Sequence, residues 1–346
     1  MRLLTALVVL LGLLGLAATS GAQEPQRFLS AYGTLTPAEI GLVDGGGVVV
    51  KVVPTSVKNE LAILGTARIR ATSEFFLRMY RDIERFETGW GVTKKLSVPP
   101  KLEDFEALEI PEEDRKALRD CKIGDCELKL GEPVLEHLRS QVDWNDPGAS
   151  QKVLEFIRSR ALEYSLGYLE GGNEKLGVYR DGKKPTAIAD EFRGLLENSP
   201  YVMSYRPELH RYLMDYPEAS LPGASDFLYW SMVDFGGKPT FRLNHVTIYP
   251  LAAGVNESVV IASKQLFFSH YFYTGLELYT LIKDGEHPDD GFYLVALNRY
   301  RTDLPGGVFG KTARKVAEDS ARGSTERYLK ATQGAIEKYF RDERGR

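Results

Sequence analysis

The sequence predicts an α+β fold: a curved antiparallel sheet gripping a long C-terminal helix, with a helical insertion midway along the chain. Three observations lead there. From Phe227 to Tyr300 the chain is a series of aromatic, β-prone runs separated by turn residues. From Lys311 to Phe340 an apolar stripe recurs at helical spacing, and Lys, Arg and Glu cover the rest. Between residues 132 and 220 the apolar spacing is helical nearly throughout.

Composition sets the bounds. The chain has 346 residues, 44 basic and 48 acidic, so its formal charge is 44 − 48 = −4. With 43% apolar and 27% charged residues it has globular proportions, which excludes collagen-like, low-complexity and wholly disordered chains. The near-neutral balance argues against nucleic acid as a partner, because such a surface must displace phosphate counterions. Two cysteines are too few for a disulfide-rich miniprotein or a four-cysteine zinc site.

Residues 1–22 read as a signal peptide. Arg2 precedes an uncharged Leu- and Val-rich run, and Ser20 and Ala22 satisfy the small-x-small rule before Gln23. The competing reading is a membrane anchor, but small residues rather than stop-transfer charges follow the run. An exported protein, periplasmic or extracellular, is therefore expected, with no transmembrane span after cleavage.

Thr36, Pro37 and Glu39 form a capping box with proline in the first turn, so a helix starts there and Gly45-Gly46-Gly47 ends it. Val48–Val53 and Leu61–Ala71 read as strands. In the second, Leu61, Ile63, Gly65, Ala67 and Ile69 alternate with Ala62, Leu64, Thr66, Arg68 and Arg70. Thr72 or Ser73 caps a helix to about Phe86 whose apolar face carries Phe76, Met79, Tyr80, Ile83 and Phe86. Asp104–Leu108 and Glu112–Arg119 read as short helices around Pro111, and Cys126–Leu130 as a strand. Asp146-Pro147 opens a long helix, and two shorter ones surround Phe192 and Leu209. Phe227–Val233 and Thr240–Tyr249 read as a hairpin. Val259–Ile282 reads as two strands, or one bent strand weakest near Gly275, and Phe292–Tyr300 as the last strand. In the final helix the stripe comprises Val316, Ala317, Ala321, Leu329, Thr332, Ile336, Tyr339 and Phe340.

Cys121 and Cys126 flank Lys122-Ile123-Gly124-Asp125, and Gly124-Asp125 can turn tightly enough to bring their Cβ atoms together. In an oxidising compartment this favours a disulfide, with two free buried thiols as the alternative.

Glu60–Ala71 running into Ser73–Phe86, the strands from Phe227 to Tyr300 and the helix from Lys311 to Phe340 together resemble the START-like, helix-grip or polyketide-cyclase-like superfamily. The likeness is one of layout. It implies a core made of residues 23–131 and 221–346, interrupted by an insertion at 132–220 that is either a roof or a separate domain. It also implies an apolar cavity between sheet and terminal helix. The superfamily has no invariant catalytic motif, so no functional residue carries over.

The most aromatic segment is Leu266–Tyr279. Read as one strand, it puts Phe268, His270, Phe272, Leu276 and Leu278 on one side, and Phe267, Tyr271, Tyr273, Glu277 and Tyr279 on the other. With Trp230 on a neighbouring strand, these suggest a pocket for a lipid-like or other apolar small molecule. A plain aromatic core is the alternative. His245 and His270, with Tyr271 and Glu277, would be the acid–base groups if the fold is an enzyme, and neither histidine has the spacing of a metal site. Arg299 and Arg301 alternate at a strand end, suited to an edge or solvent-facing role or to an anionic headgroup. Asn256-Glu257-Ser258 is a glycosylation sequon, and His287-Pro288-Asp289-Asp290 an acidic turn. Walker, Rossmann and serine-elbow motifs are absent, and no cofactor is expected. Three readings follow: an exported binder of an apolar molecule, an enzyme of the same fold, and a cell-envelope module that docks a protein through 132–220.

Overall fold

A computed structural model describes residues 24–31, 34–199, 203, 206–235, 237–250, 257–284, 291–304 and 307–345. The leader at 1–22, Asn256 of the sequon and the turn at His287–Asp290 lie outside the described residues.

Two helices, α1 (Glu24–Ala31) and α2 (Pro37–Asp44), precede β1 (Val48–Val52) and β2 (Glu60–Ile69). The capping box forms as expected: the Glu39 N–H donates to Thr36 Oγ1 at 3.3 Å, and the Thr36 N–H donates to the Glu39 carboxylate at 2.8 Å. After α3 (Ser73–Arg81), α4 (Ile83–Phe86) and β3 (Gly91–Lys95) comes a helical layer. It holds α5 (Glu112–Asp120), α6 (Glu132–Ser140), α7 (Ala149–Gly171), the small hairpin β4 (Val178–Tyr179) and β5 (Thr186–Ala187), α8 (Ile188–Glu197) and α9 (Pro207–Met214). The chain ends with β6 (Ser225–Asp234), β7 (Pro239–Pro250), β8 (Glu257–Phe268), β9 (Phe272–Lys283), β10 (Phe292–Thr302) and α10 (Gly307–Arg344).

Eight strands form one sheet in the order β1-β2-β10-β9-β8-β7-β6-β3, and every neighbouring pair is antiparallel. The fold is α+β, with the long terminal helix packed on the sheet. On that side, Ile69, Tyr229, Val246, Ile261, Tyr279 and Leu294 meet Leu329 and Ile336 of α10 and Phe76 and Tyr80 of α3. Gly65 permits the crossing: a Cβ there would stand 2.4 Å from Leu329 Cδ1. The opposite face is covered as well. Phe192, Leu195 and Leu209 pack on Val260, Leu276 and Leu278, while Tyr168, Tyr179 and Ile188 pack on Trp230, Leu243 and Leu266. With both faces buried, the central strands are apolar on both sides, which explains their weak alternation.

Several local expectations change. The helix over 73–86 is broken at Asp82, which stands between α3 and α4 outside helical geometry. Cys126–Leu130 forms no strand, and the expected helix at 104–108 is a 3₁₀ turn at Leu102–Phe105. That turn already belongs to the layer, since Phe105 packs with Tyr168 and Trp230, so the layer begins before residue 132. On α10, Val316 is 64% and Tyr339 41% exposed, because the buried line runs through Leu329, Thr332 and Ile336. Arg299 and Arg301 do not face solvent: both are buried against Glu60. No described helix is long and apolar enough to cross a membrane.

Candidate functional site

A cavity of about 600 Å³ lies between the sheet and the helical layer. Helical periodicity builds one wall, where Ile157, Ala161 and Tyr164 recur at four and three residues along α7. Strand periodicity builds another, where Phe241 and Leu243 project from the same side of β7. Leu118, Leu128, Leu130, Tyr179, Ile188 and Phe267 extend the apolar lining. The size suits a small-molecule ligand. Two wall tyrosines are held in place: the Tyr164 hydroxyl donates to the Leu266 carbonyl at 2.8 Å, and the Phe268 N–H donates to the Tyr179 hydroxyl oxygen at 3.0 Å. Burial pushes both phenols above their ordinary pKa, so they stay neutral.

Polar groups in this wall are few. Asp114 comes from the first turn of α5, and Ser269 from the turn between β8 and β9. His270 Nε2 lies 3.1 Å from each Asp114 carboxylate oxygen, and both side chains are buried. Glu109, Glu132, Arg160, Lys175 and Arg180 also border the cavity.

The disulfide braces the same wall. Cys121 and Cys126 are bonded, with S–S 2.01 Å and Cα–Cα 4.5 Å. The loop they close donates from the Gly124 N–H to the Arg180 carbonyl at 2.7 Å, and from the Cys126 N–H to the Asp181 carbonyl at 3.0 Å. It thereby holds the β4–β5 hairpin, which contributes Val178, Tyr179 and Arg180 to the cavity. Lys129 adds an ion pair to Asp181 at 3.2 Å and another to Asp303 at 2.9 Å.

Of the aromatic segment named from sequence, Phe267 lines this cavity, whereas Trp230, His245, Phe268, His270, Tyr271, Phe272, Leu276 and Glu277 do not; His270 stands behind Asp114. Trp230 faces the layer, fully buried, with its indole N–H donating to the Asp104 carbonyl at 2.8 Å. Leu276 faces the layer under α8 and α9. Phe268 and Phe272 pack with Phe235 and Tyr300. Tyr271 occupies the turn at φ +61°, its hydroxyl oxygen accepting from the Lys238 N–H at 2.7 Å. The turn at 269–271 separates β8 from β9, so the two-residue alternation assumed across Leu266–Tyr279 does not hold.

The expected acid–base group does not assemble either. Glu277 lies on the α10 side, accepting from Arg242 Nη1 at 3.0 Å and from the Tyr300 hydroxyl at 2.5 Å. Arg242 also approaches Glu87 at 3.8 Å, and Glu87 accepts from the Tyr328 hydroxyl of α10 at 3.2 Å. Burial raises the Glu87 pKa. Tyr80, Tyr229, Tyr279 and Tyr328 pack around this cluster between the sheet and α10.

His245 belongs to a different hydrogen-bonded chain, on the layer side, that runs from the surface residue Asp226 inward. Its Nε2 lies 3.0 Å from Asp226 Oδ1 and its Nδ1 2.8 Å from the Tyr168 hydroxyl. Burial drives the His245 pKa below its usual value. Burial alone would raise the Asp226 pKa, but hydrogen bonds from His245, Thr247 and Tyr212 outweigh it and the net shift is downward. Lys264 completes the chain: its ammonium nitrogen reaches the Tyr168 hydroxyl at 3.4 Å, donates to Asn173 Oδ1 and lies over the Phe192 ring. Burial depresses the Lys264 pKa strongly. The polar triplet Ser263-Lys264-Gln265 inside the strand Val259–Phe268 was the available sequence signal for this chain. Arg242, Glu87 and Asp114 carry no such signal, because their partners come from distant segments. Among the described residues, no group of three or more His, Cys, Asp or Glu side chains could hold a metal ion.

Compared with known proteins, the chain matches no family model, no curated protein and no solved structure.

Proposed function

We propose that this chain is an exported binding protein for an apolar, lipid-like small molecule, held non-covalently between the sheet and the helical layer. The observation that carries this reading is the apolar cavity of about 600 Å³. Its walls offer aliphatic and aromatic surface, whose burial against a ligand contributes about 25 cal/mol per Å². The antiparallel sheet crossed by a terminal helix is consistent with a START-like layout, with the site moved to the face that the insertion roofs. The Cys121–Cys126 bond supports an oxidising compartment.

The test is mass spectrometry of organic extracts from the protein purified from its exported fraction, beside the variant Ala161→Trp. Ala161 lines the cavity from α7, and an indole there projects into it and narrows it. The wild type is expected to carry a stoichiometric apolar compound that the variant lacks at unchanged secondary structure. Clean extracts from both, together with no uptake of a neutral apolar fluorescent probe, would sink the proposal.

A further inference from the structure

The cavity wall carries a feature that selects among apolar ligands. Asp114 is buried, lines the cavity and, among the described residues, meets one donor, His270 Nε2, at 3.1 Å. A carboxylate has no proton to give, so the imidazole N–H donates, shared between the two oxygens. A carboxylate offers about four lone-pair sites, so acceptor capacity is left over at the cavity wall. Ser269, the residue before His270, lines the same cavity. Its hydroxyl oxygen accepts from the Phe241 N–H at 2.9 Å, and among the described residues nothing takes its proton.

Resting on the reading of the cavity as a ligand site, we infer that its ligand is an apolar body bearing a hydroxyl, a long-chain or polycyclic alcohol, whose O–H donates to Asp114. A hydroxyl satisfies the carboxylate and can accept from Ser269. A fatty acid would bring a second negative charge beside a buried carboxylate, and an ether would leave Asp114 without the added donor. The basic side chains bordering the cavity do not favour an acid equally: Arg160 is paired with Glu163, and Arg180 lies 3.1 Å from Glu132. Lys175 is the cation through which an acid would bind instead.

The experiment loads the full mature protein with a neutral fluorescent apolar probe at pH 8 and displaces it with 1-decanol, decyl methyl ether or decanoic acid. The alcohol is expected to bind about tenfold tighter than either, the scale of one hydrogen bond to a charged acceptor. In Asp114→Asn, which keeps the shape and removes the charge, the disadvantage of the acid is expected to shrink by a similar factor. The wild-type comparison stands even if that variant does not fold. Equal affinities, or tighter binding of the acid that is lost in Lys175→Gln, would overturn the alcohol assignment while leaving apolar binding intact. Failure of the probe and all three compounds to bind would remove the cavity as a ligand site altogether.

Discussion

Lys264 is the residue at which burial and ionisation conflict most openly. Its pKa falls well below 10.5 in the folded protein, whereas the unfolded chain restores the ordinary value. Between those two values the unfolded state holds one proton more, so stability rises with pH, by up to about 1.4 kcal/mol per unit. His245 has the same sign in a lower window, because its pKa is depressed below 6.5 and stability is lost as pH falls beneath that value. Urea unfolding as a function of pH is expected to show both slopes in the wild type. Lys264→Met is expected to flatten the alkaline one and keep the acidic one; an unchanged alkaline slope would mean that the lysine is not buried as described. Sequence could identify Lys264 and His245 as polar residues in β-prone runs. It could not pair them with Tyr168, which is 96 residues from Lys264 and 77 from His245.

At the level of elements, local signals were legible and partners were not. The capping box of α2 and the Leu329, Thr332 and Ile336 part of the α10 stripe each state their own geometry. Where a prediction failed, tertiary contacts decided. Gly275, expected to weaken a strand, lies inside β9 because the Tyr300 ring covers it; a Cβ there would come within 2.5 Å of that ring. Gly65 plays the matching part on β2, below Leu329. Gly65→Ala is expected to destabilise by about 1–3 kcal/mol through overpacking. Adding Leu329→Ala should make the two effects non-additive, measurable in a double-mutant cycle. The disulfide is a second element-level device. Replacing both cysteines by serine is expected to cost about 2 kcal/mol, the chain-entropy worth of so short a loop. It should also speed exchange of a bound apolar probe, because the loop no longer steadies the β4–β5 hairpin. Equal exchange rates in the two forms would show that the hairpin is held by its other contacts.

For the molecule as a whole, the fold class could be read and the cavity could not. The sheet and the terminal helix follow from periodicity, which is a property of each segment taken alone. The cavity is made by α5, α7, the β4–β5 hairpin and β7 meeting, and no periodicity encodes that meeting. The same reasoning explains why the two faces of the sheet differ. The α10 side receives Arg242, Glu87 and four tyrosines, whereas the layer side retains a void beside Leu243.

Strand order carries one more implication. Both borders of the sheet, β1-β2 and β3, come from the first third of the chain, and everything between them comes from the last. The tip joining β4 to β5, at Gly182-Lys183-Lys184, is exposed and offers trypsin a place to cut. A clip there leaves an amino-terminal fragment clasping the carboxy-terminal one from left and right, like jaws on a wedge. The two pieces should co-elute as one particle under native conditions and part only in denaturant.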